Sequence, residues 1–192
     1  MLFWTKDEYQ MFADAMMDKP LSFYAFELLY WCGIRLGELL ALSKSDFNFD
    51  KSTVTISKSY QRINREDIIT KPKTPKSNRT IKMTDFLCQE IQEYLRTLYR
   101  CAPDDRIFPI SKSYLHHEMN RGAKQSGVKR IRVHDIRHSH VSHLIELGFS
   151  AVAIADRVGH ESIDITYRYA HLFPSKQDEM ANKLDSERGE GF

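Results

Sequence analysis

The sequence predicts an α+β domain that is mainly α-helical. Three observations lead to this class: helical periodicity from residue 85 onward, a short β-like stretch between residues 53 and 83, and 192 residues of which 42% are hydrophobic. That length and composition suit one domain with a sizeable core. The sequence has no run of 18 apolar residues, no visible secretory signal and no CxxC pair among its three cysteines. We therefore expect a cytoplasmic protein rather than a membrane protein, a disulfide scaffold or a zinc ribbon.

The first fifty residues predict helices. Thr5 and Glu8 form a capping-box pattern ahead of an apolar stripe, so we expect a helix that starts there and is broken by Pro20. Residues 21–32 are apolar nearly all round, which indicates a buried helix. After a glycine, residues 36–42 continue with a helical pattern.

A small antiparallel sheet is expected next. Residues 53–57 alternate apolar and polar side chains and are rich in β-branched residues, which is typical of a strand. Residues 68–69 predict a second strand and residues 79–83 a third. The segment 71–78 between them contains two prolines, a serine and an asparagine, and therefore predicts a turn. We expect a three-stranded meander with a basic tip.

The rest of the chain has helical periodicity. Glycines and serines mark the ends of the predicted helices, as expected for helix caps. The predicted helices span residues 85–98, 111–125, 133–147, 151–158 and 163–171, followed by an amphipathic segment from Pro174.

Charge is segregated along the chain. Residues 1–50 have four basic and eight acidic side chains, net −4, whereas residues 51–82 have nine and two, net +7, and residues 96–138 have ten and four, net +6. Two basic stretches in a chain of net charge +2 suggest either solvated faces or a surface for an anionic partner such as nucleic acid.

Arg35 is the only basic residue between Lys19 and Lys44, and it follows a buried helix. A cation at the edge of a core is costly unless it is paired. One interpretation is an ion pair with Glu38, three residues away. The other is an anion contact presented by a rigid helix end.

A second candidate is the cluster HDIRHSH at residues 134–140. His134 and Arg137 share a helix face at i, i+3, as do His134 and His138 at i, i+4. The HxxxH spacing suggests a zinc site, although the glutamate that a metalloprotease would use is absent. The HxxR spacing suggests phosphate recognition, because arginine offers fork-like donors. The cluster alone leaves both open.

Aromatic residues follow a third candidate, Gly159-His160. Tyr167 and Tyr169 lie near the predicted end of the last helix. One interpretation is that both are ordinary core or surface aromatic residues, and the other is that one of them is a nucleophile. A nucleophilic tyrosine has an ordinary pKa of about 10, so it needs nearby guanidinium groups and a hydrogen-bonding histidine.

Four segments occur in the order typical of one known family: GIRLGELLAL, KPKTPKSNRTIKM, VHDIRHSH and VGHESIDITYRYAH. With them the chain resembles the catalytic domain of tyrosine recombinases (phage integrase family), especially integrases of Gram-positive prophages and integrative conjugative elements. The resemblance implies a tyrosine-recombinase catalytic domain over residues 1–173 and a tail over 174–192. Members of this family usually carry a core-binding domain, and many also carry an arm-binding domain; by resemblance, we expect neither within these residues.

The resemblance also implies site residues. The nucleophile is Tyr169 rather than Tyr167, because the family's Tyr-x-His ending fits residues 169–171. Lys73 fits the family's lysine best, and Lys76 is the alternative. The implied catalytic set is Arg35, Lys73, His134, Arg137, His160 and Tyr169, without metal ligands. The implied DNA contacts are Lys71, Lys76, Arg79, Lys129, Arg130 and Arg132.

By resemblance, the activity is cleavage and rejoining of DNA strands through a 3′-phosphotyrosyl intermediate, with no metal, ATP or other cofactor. Implied partners are double-stranded attachment sites and accessory bending or excision factors. A homotetramer is implied on DNA, with the tail docked on a neighbour or on its own core, and a monomer is expected without DNA. Two alternatives are a metal-dependent hydrolase using His134, His138 and His140, and a non-catalytic DNA-binding module.

Overall fold

The structure, a computed structural model, describes residues 2–71, 75–167, 169, 180–182 and 184–186. Lys73 and most of the predicted tail lie outside these residues. The described helices are α1 (Lys6–Asp14), α2 (Pro20–Cys32), α3 (Leu36–Leu39), α4 (Asp85–Thr97), α5 (Lys112–Ser126), α6 (Asp135–Glu146), α7 (Ala151–Val158) and α8 (Ile163–Tyr167). The described strands are β1 (Phe47–Asn48), β2 (Thr53–Ile56), β3 (Ser59–Ile63), β4 (Glu66–Thr70) and β5 (Arg79–Lys82).

Most predicted helices are confirmed, and their caps explain where they begin. Thr5 forms the predicted capping box with Glu8, and the Ser150 hydroxyl accepts the Ala153 N–H at the start of α7. The last prediction is too long, because α8 ends at Tyr167. The Tyr169 N–H donates to the Thr166 carbonyl, three residues back, so this tyrosine lies in a turn instead of an α-helix.

The predicted meander is partly wrong. A three-stranded antiparallel sheet exists in the order β1-β2-β5, but β4, which contains the predicted middle strand, pairs with β3 in a separate hairpin. Asn64 and Arg65 have φ values of 51° and 70° at the tip of that hairpin. Two consecutive positive φ angles match the twist of a tight hairpin, which therefore closes on itself.

The hydrophobic core has two parts. The larger one surrounds α2, which packs against α4 and α6. The smaller one joins α6 and α7 through Val141, Ile145, Ile154 and Val158, and Tyr169 packs into it. Tyr169 is therefore held against α6, whose first turn carries the HxxR cluster. None of the helices in the described part of the chain is long and apolar enough to cross a bilayer.

Candidate active site

Arg35 lies at the start of α3, where it forms the predicted ion pair with Glu38. Its Nη1 donates to Glu38 Oε1 at 2.8 Å, and its backbone N–H donates to the other carboxylate oxygen at 2.8 Å. Its Nη2 donates to the Gly159 carbonyl at 3.1 Å, at the C-terminal end of α7. Cations suit that end of a helix, where the last carbonyls lack partners. Arg35 thus connects two segments that the sequence singles out, and 38% of its side chain remains exposed.

Arg79, predicted as a DNA contact, has a buried guanidinium group. Its two terminal nitrogens donate to the Glu38 carboxylate at 3.2 and 2.9 Å, and its Nε donates to the Arg157 carbonyl at 3.1 Å. Only 7% of its side chain is exposed. Burial tends to raise the pKa of Glu38, but hydrogen bonds and charge from Arg79 and Arg35 outweigh burial and hold that pKa below its ordinary value. The Arg79 guanidinium group is therefore bonded to the Glu38 carboxylate inside the protein and is not exposed at the surface.

Arg137, in the first turn of α6, is buried but differently bonded. Its Nη1 donates to the Gly33 carbonyl at 2.7 Å, at the end of α2, whereas its Nη2 is buried without a hydrogen-bond partner in the described chain. Burial, followed by the charges of Arg35 and Arg79, lowers the pKa of Arg137 to about 9. The group therefore stays charged at neutral pH. A buried cation with a free donor is costly unless an anion completes it.

Two predicted histidines flank Arg137. His134 caps α6, and burial followed by the Arg137 charge lowers its pKa. His160 follows Gly159, and its Nδ1 lies 2.8 Å from the Thr166 hydroxyl. Burial, then the charges of Arg137 and Arg35, lower the pKa of His160 to about 3. Both imidazoles are therefore neutral at pH 7 and lie in a field dominated by guanidinium groups.

Tyr169 is brought to the same corner of the molecule. It is only 3% exposed, and its phenol is hydrogen-bonded to Nδ1 of His138. The phenol is also close enough to Arg137 to influence its pKa. Tyr167, the rival nucleophile, is 53% exposed on α8. The structure thus brings together residues from three of the four sequence segments: Arg35, His134, Arg137, His160 and Tyr169.

The predicted DNA contacts other than Arg79 are all at least partly exposed. Lys76 donates to the Glu161 carbonyl at 3.2 Å, beside the Gly159-His160 segment, and Lys71 is exposed. Lys129, Arg130 and Arg132 form a basic run just before α6. Their side chains bond to Glu8, Asn120 and Asp135 respectively.

The three histidines of the metal alternative do not converge. His140 is buried beneath Gly33, and its Nε2 accepts a hydrogen bond from Arg157 at 3.3 Å. His138 is engaged with Tyr169. No three or more histidine, cysteine or acidic side chains gather in a metal-binding arrangement within the described residues. The geometry therefore favours anion recognition.

Sequence reasoning missed two residues of this corner. His138 was considered only as a metal ligand, although it directly follows Arg137 and contacts the tyrosine. Thr166 is hydrogen-bonded to the His160 ring, and nothing in the sequence pattern indicates this contact.

These features can now be compared with known proteins. Residues 3–176 match the model of the Phage integrase family, and the chain belongs to that family. It is 34% identical over 200 residues to the ICEBs1 integrase of Bacillus subtilis (strain 168), which covers 96% of this chain and 54% of that protein. It is 27% identical over 182 residues to the integrase of Staphylococcus phage L54a, covering 84% and 51% respectively. The chain thus spans about half the length of these curated relatives.

Solved structures show the same fold. A complex of the Tn1549 transposon integrase with transposon right end DNA superposes with a TM-score of 0.78 at 17% identity, covering 97% of this chain and 66% of that one. The catalytic domain of bacteriophage HP1 integrase superposes with a TM-score of 0.65 at 17% identity, covering 95% and 94% respectively. The predicted fold, a mainly helical domain of tyrosine-recombinase type with small antiparallel sheets, is confirmed.

Proposed function

We propose that this chain is the catalytic part of a site-specific DNA recombinase that integrates or excises a mobile element. Tyr169 is the nucleophile that cleaves a DNA strand and stays linked to its 3′-phosphate. One observation carries this proposal: a tyrosine phenol is hydrogen-bonded to His138, the residue that directly follows Arg137, and Arg137 is a buried cation whose Nη2 lacks a described hydrogen-bond partner. A phosphodiester is the anion that would complete this group.

Arg137 and Arg35 are the proposed clamp on the scissile phosphate. Charge builds on the non-bridging oxygens as phosphorus becomes pentacoordinate, and fixed cations in a partly dehydrated site stabilise that charge strongly. Glu38 supports the clamp, because it orients Arg35 while Arg79 balances the carboxylate from the other side.

The histidines and a lysine are assigned to proton handling and phosphate binding. His160, held by Thr166, is proposed to donate to a phosphate oxygen, and His134 to bind the phosphate or take the tyrosine proton. The leaving 5′-oxygen needs a proton, since an alkoxide is a poor leaving group. We assign this role to Lys73 on the resemblance and keep Lys76, which borders His160, as the alternative.

The proposed partners are double-stranded attachment sites, bound by a homotetramer in the bacterial cytoplasm with accessory bending or excision factors. Lys71, Lys76, Lys129, Arg130 and Arg132 are the proposed DNA contacts. The integrase structures solved in DNA complexes support the DNA part of this assignment. The tail over 174–192 is proposed to dock on a neighbouring subunit.

The test is to locate the covalent link. The chain is incubated with negatively supercoiled plasmid in EDTA and stopped with SDS, and the nuclease-trimmed adduct is mapped by mass spectrometry. We expect a nucleotide on Tyr169, no adduct from Tyr169→Phe, and a normal yield from the control Tyr167→Phe. Gel-shift binding should be equal for all three proteins.

Two results would contradict the proposal: an adduct on another residue, or a normal adduct yield from Tyr169→Phe. Cleavage that needs a metal and leaves no protein on the DNA would favour the hydrolase. The lysine is identified with DNA containing a 5′-bridging sulfur, because a thiolate leaves without a proton. That DNA should rescue the alanine variant of the true lysine and not that of the other.

A further inference from the structure

His138 is the described side chain that hydrogen-bonds the Tyr169 phenol. It lies in the first turn of α6, directly after Arg137, and packs edge-on against His134 with ring centroids 5.0 Å apart. The ring of Tyr169 is tilted at 51° to the His138 ring, with centroids 5.8 Å apart. This contact joins α6 to the turn after α8, and the roles proposed above do not use it.

The surroundings of His138 fix which nitrogen can receive a proton. Nδ1 faces the phenol, while Nε2 lies 3.8 Å from Oδ1 of the fully buried Asp135. Asp135 is itself anchored by the Arg132 backbone N–H at 2.9 Å and by the Arg132 guanidinium group at 2.8 Å. A carboxylate on the Nε2 side favours a proton on that nitrogen and leaves Nδ1 with a lone pair. The phenol and the carboxylate therefore lie on the two nitrogen sides of one imidazole ring, the same order as in other nucleophile–base–orienting-group sets.

We propose that His138, rather than His134, is the catalytic residue that accepts the phenolic proton of Tyr169 during strand cleavage, which leaves His134 the phosphate-binding role; this assignment rests on the function proposed above. The O–H bond of Tyr169 breaks, its proton moves to Nδ1, and the phenol oxygen forms a bond to phosphorus. The bond from phosphorus to the 5′-oxygen breaks, and this oxygen leaves with the electron pair and is protonated by the lysine. The resulting imidazolium points Nε2–H at Asp135. In the reverse step the proton returns to Tyr169.

The charge around His138 suits this role once DNA binds. Burial, then His134, lower the pKa of His138 to about 4, so the ring is neutral in the free protein at pH 7 and can accept a proton. A bound phosphodiester places negative charge close by and stabilises the imidazolium. A base whose proton affinity rises only when the substrate is bound is suited to take the proton at that stage.

The first test needs no DNA. Nitrogen NMR of ¹⁵N-histidine-labelled chain at pH 7 should show His138 with Nε2 protonated and Nδ1 bare. The Nδ1 resonance should move in Tyr169→Phe, which lacks the hydrogen bond, whereas the exposed His117 serves as the unaffected reference. A protonated Nδ1, or a resonance that ignores Tyr169→Phe, overturns the proposal.

The second test measures single-turnover adduct formation on supercoiled plasmid. We expect His138→Gly to lose on the order of 10²-fold in rate, imidazole to restore part of that rate, and the matched control His117→Ala to keep it. A normal rate in His138→Gly, or a loss that imidazole leaves unchanged, contradicts proton transfer. DNA with a 5′-bridging sulfur should not rescue His138→Gly, because the defect concerns the attacking oxygen; rescue would assign His138 to the leaving group instead.

The two tests separate the two proposals. If the wild-type chain forms no tyrosine adduct, the recombinase function fails, and the NMR result still decides whether His138 can take a proton from Tyr169. If adducts form on Tyr169 and His138→Gly is as fast as the wild type, the function stands and the role of His138 is rejected.

Discussion

Arg79 and Arg137 are both buried guanidinium groups in the same corner of the molecule, yet their surroundings differ. Arg79 faces a carboxylate, Glu38, with two hydrogen bonds of 3.2 and 2.9 Å. Arg137 faces a backbone carbonyl on one side, and on the other its Nη2 has no described partner. The first arrangement is complete, whereas the second is completed only by an anion from outside.

This difference separates structure from function among residues of one type. A buried ion pair with its hydrogen bonds satisfied is costly to break, because the remaining charge is left without a partner. In a buried cation with a free donor, the folded protein already contains a charge without a full set of partners, and such perturbed groups are common in functional sites. From the sequence, both arginines are candidates for binding an anion. Only their hydrogen-bond partners in the folded protein distinguish them.

Of the two arginine substitutions, Arg137→Met should have the larger effect on activity. We expect adduct formation on supercoiled plasmid to fall about 10²–10³-fold, because a fixed donor to the developing phosphate charge is lost. The free energy of unfolding, measured with urea, should fall by no more than about 1 kcal/mol, since the main loss is the hydrogen bond to Gly33. The matched change Arg79→Met should instead reduce stability. Equal losses of stability in both variants would remove the distinction.

Glu38→Gln tests the ion pairs that Arg79 and Arg35 form with this carboxylate. The wild-type carboxylate accepts hydrogen bonds from Arg35 and Arg79, so its removal leaves two cations facing each other. We expect a loss of about 3 kcal/mol in the free energy of unfolding at pH 7. Because the pKa of Glu38 is lowered in the folded state, the wild-type advantage is present above its unfolded pKa and shrinks as the pH falls through the folded pKa. A loss of stability independent of pH would contradict this.

Much of this fold follows from local signals that tertiary contacts do not override. Capping residues and apolar periodicity predicted both ends of α2, α4, α5, α6 and α7 to within two residues, since caps act within one turn. The prediction of a middle strand was wrong about its partners. Residues 66–70 do form a strand, but the turn at Asn64 and Arg65 pairs this strand with β3. Strand partners depend on contacts distant in sequence, which single-segment patterns do not contain.

The candidate site shows the same limit. Arg35, Arg137 and Tyr169 could be located because they belong to recognisable segments, and the i, i+3 spacing predicted the bond from Arg35 to Glu38. That Arg79 reaches Glu38 from 41 residues away depends on how β5 packs. The contact of His138 with Tyr169 depends likewise on where the turn after α8 lies.

Glu27 offers a contrast with Glu38, because it is a buried carboxyl group with no arginine partner among the described residues. It accepts a hydrogen bond from the Tyr9 hydroxyl at 2.6 Å, and burial, partly opposed by that bond, raises its pKa from 4.5 to about 7. The folded state thus binds more protons than the unfolded state between those values. The unfolding free energy contributed by this group therefore falls as the pH rises from 4.5 to 7, by up to about 3 kcal/mol.

Glu27→Gln should remove that decline, because an amide keeps the acceptor for Tyr9 and does not ionise. We expect the variant and the wild type to be equally stable at pH 4.5 and the variant to be more stable at pH 8, as measured by urea unfolding across the range. The histidines whose pKa values are lowered titrate in the same window, but they are common to both proteins and cancel in the difference. This sign is opposite to that of Glu38→Gln. A variant less stable than the wild type at pH 8 would mean that the Glu27 carboxylate has a cationic partner and that burial does not control its charge.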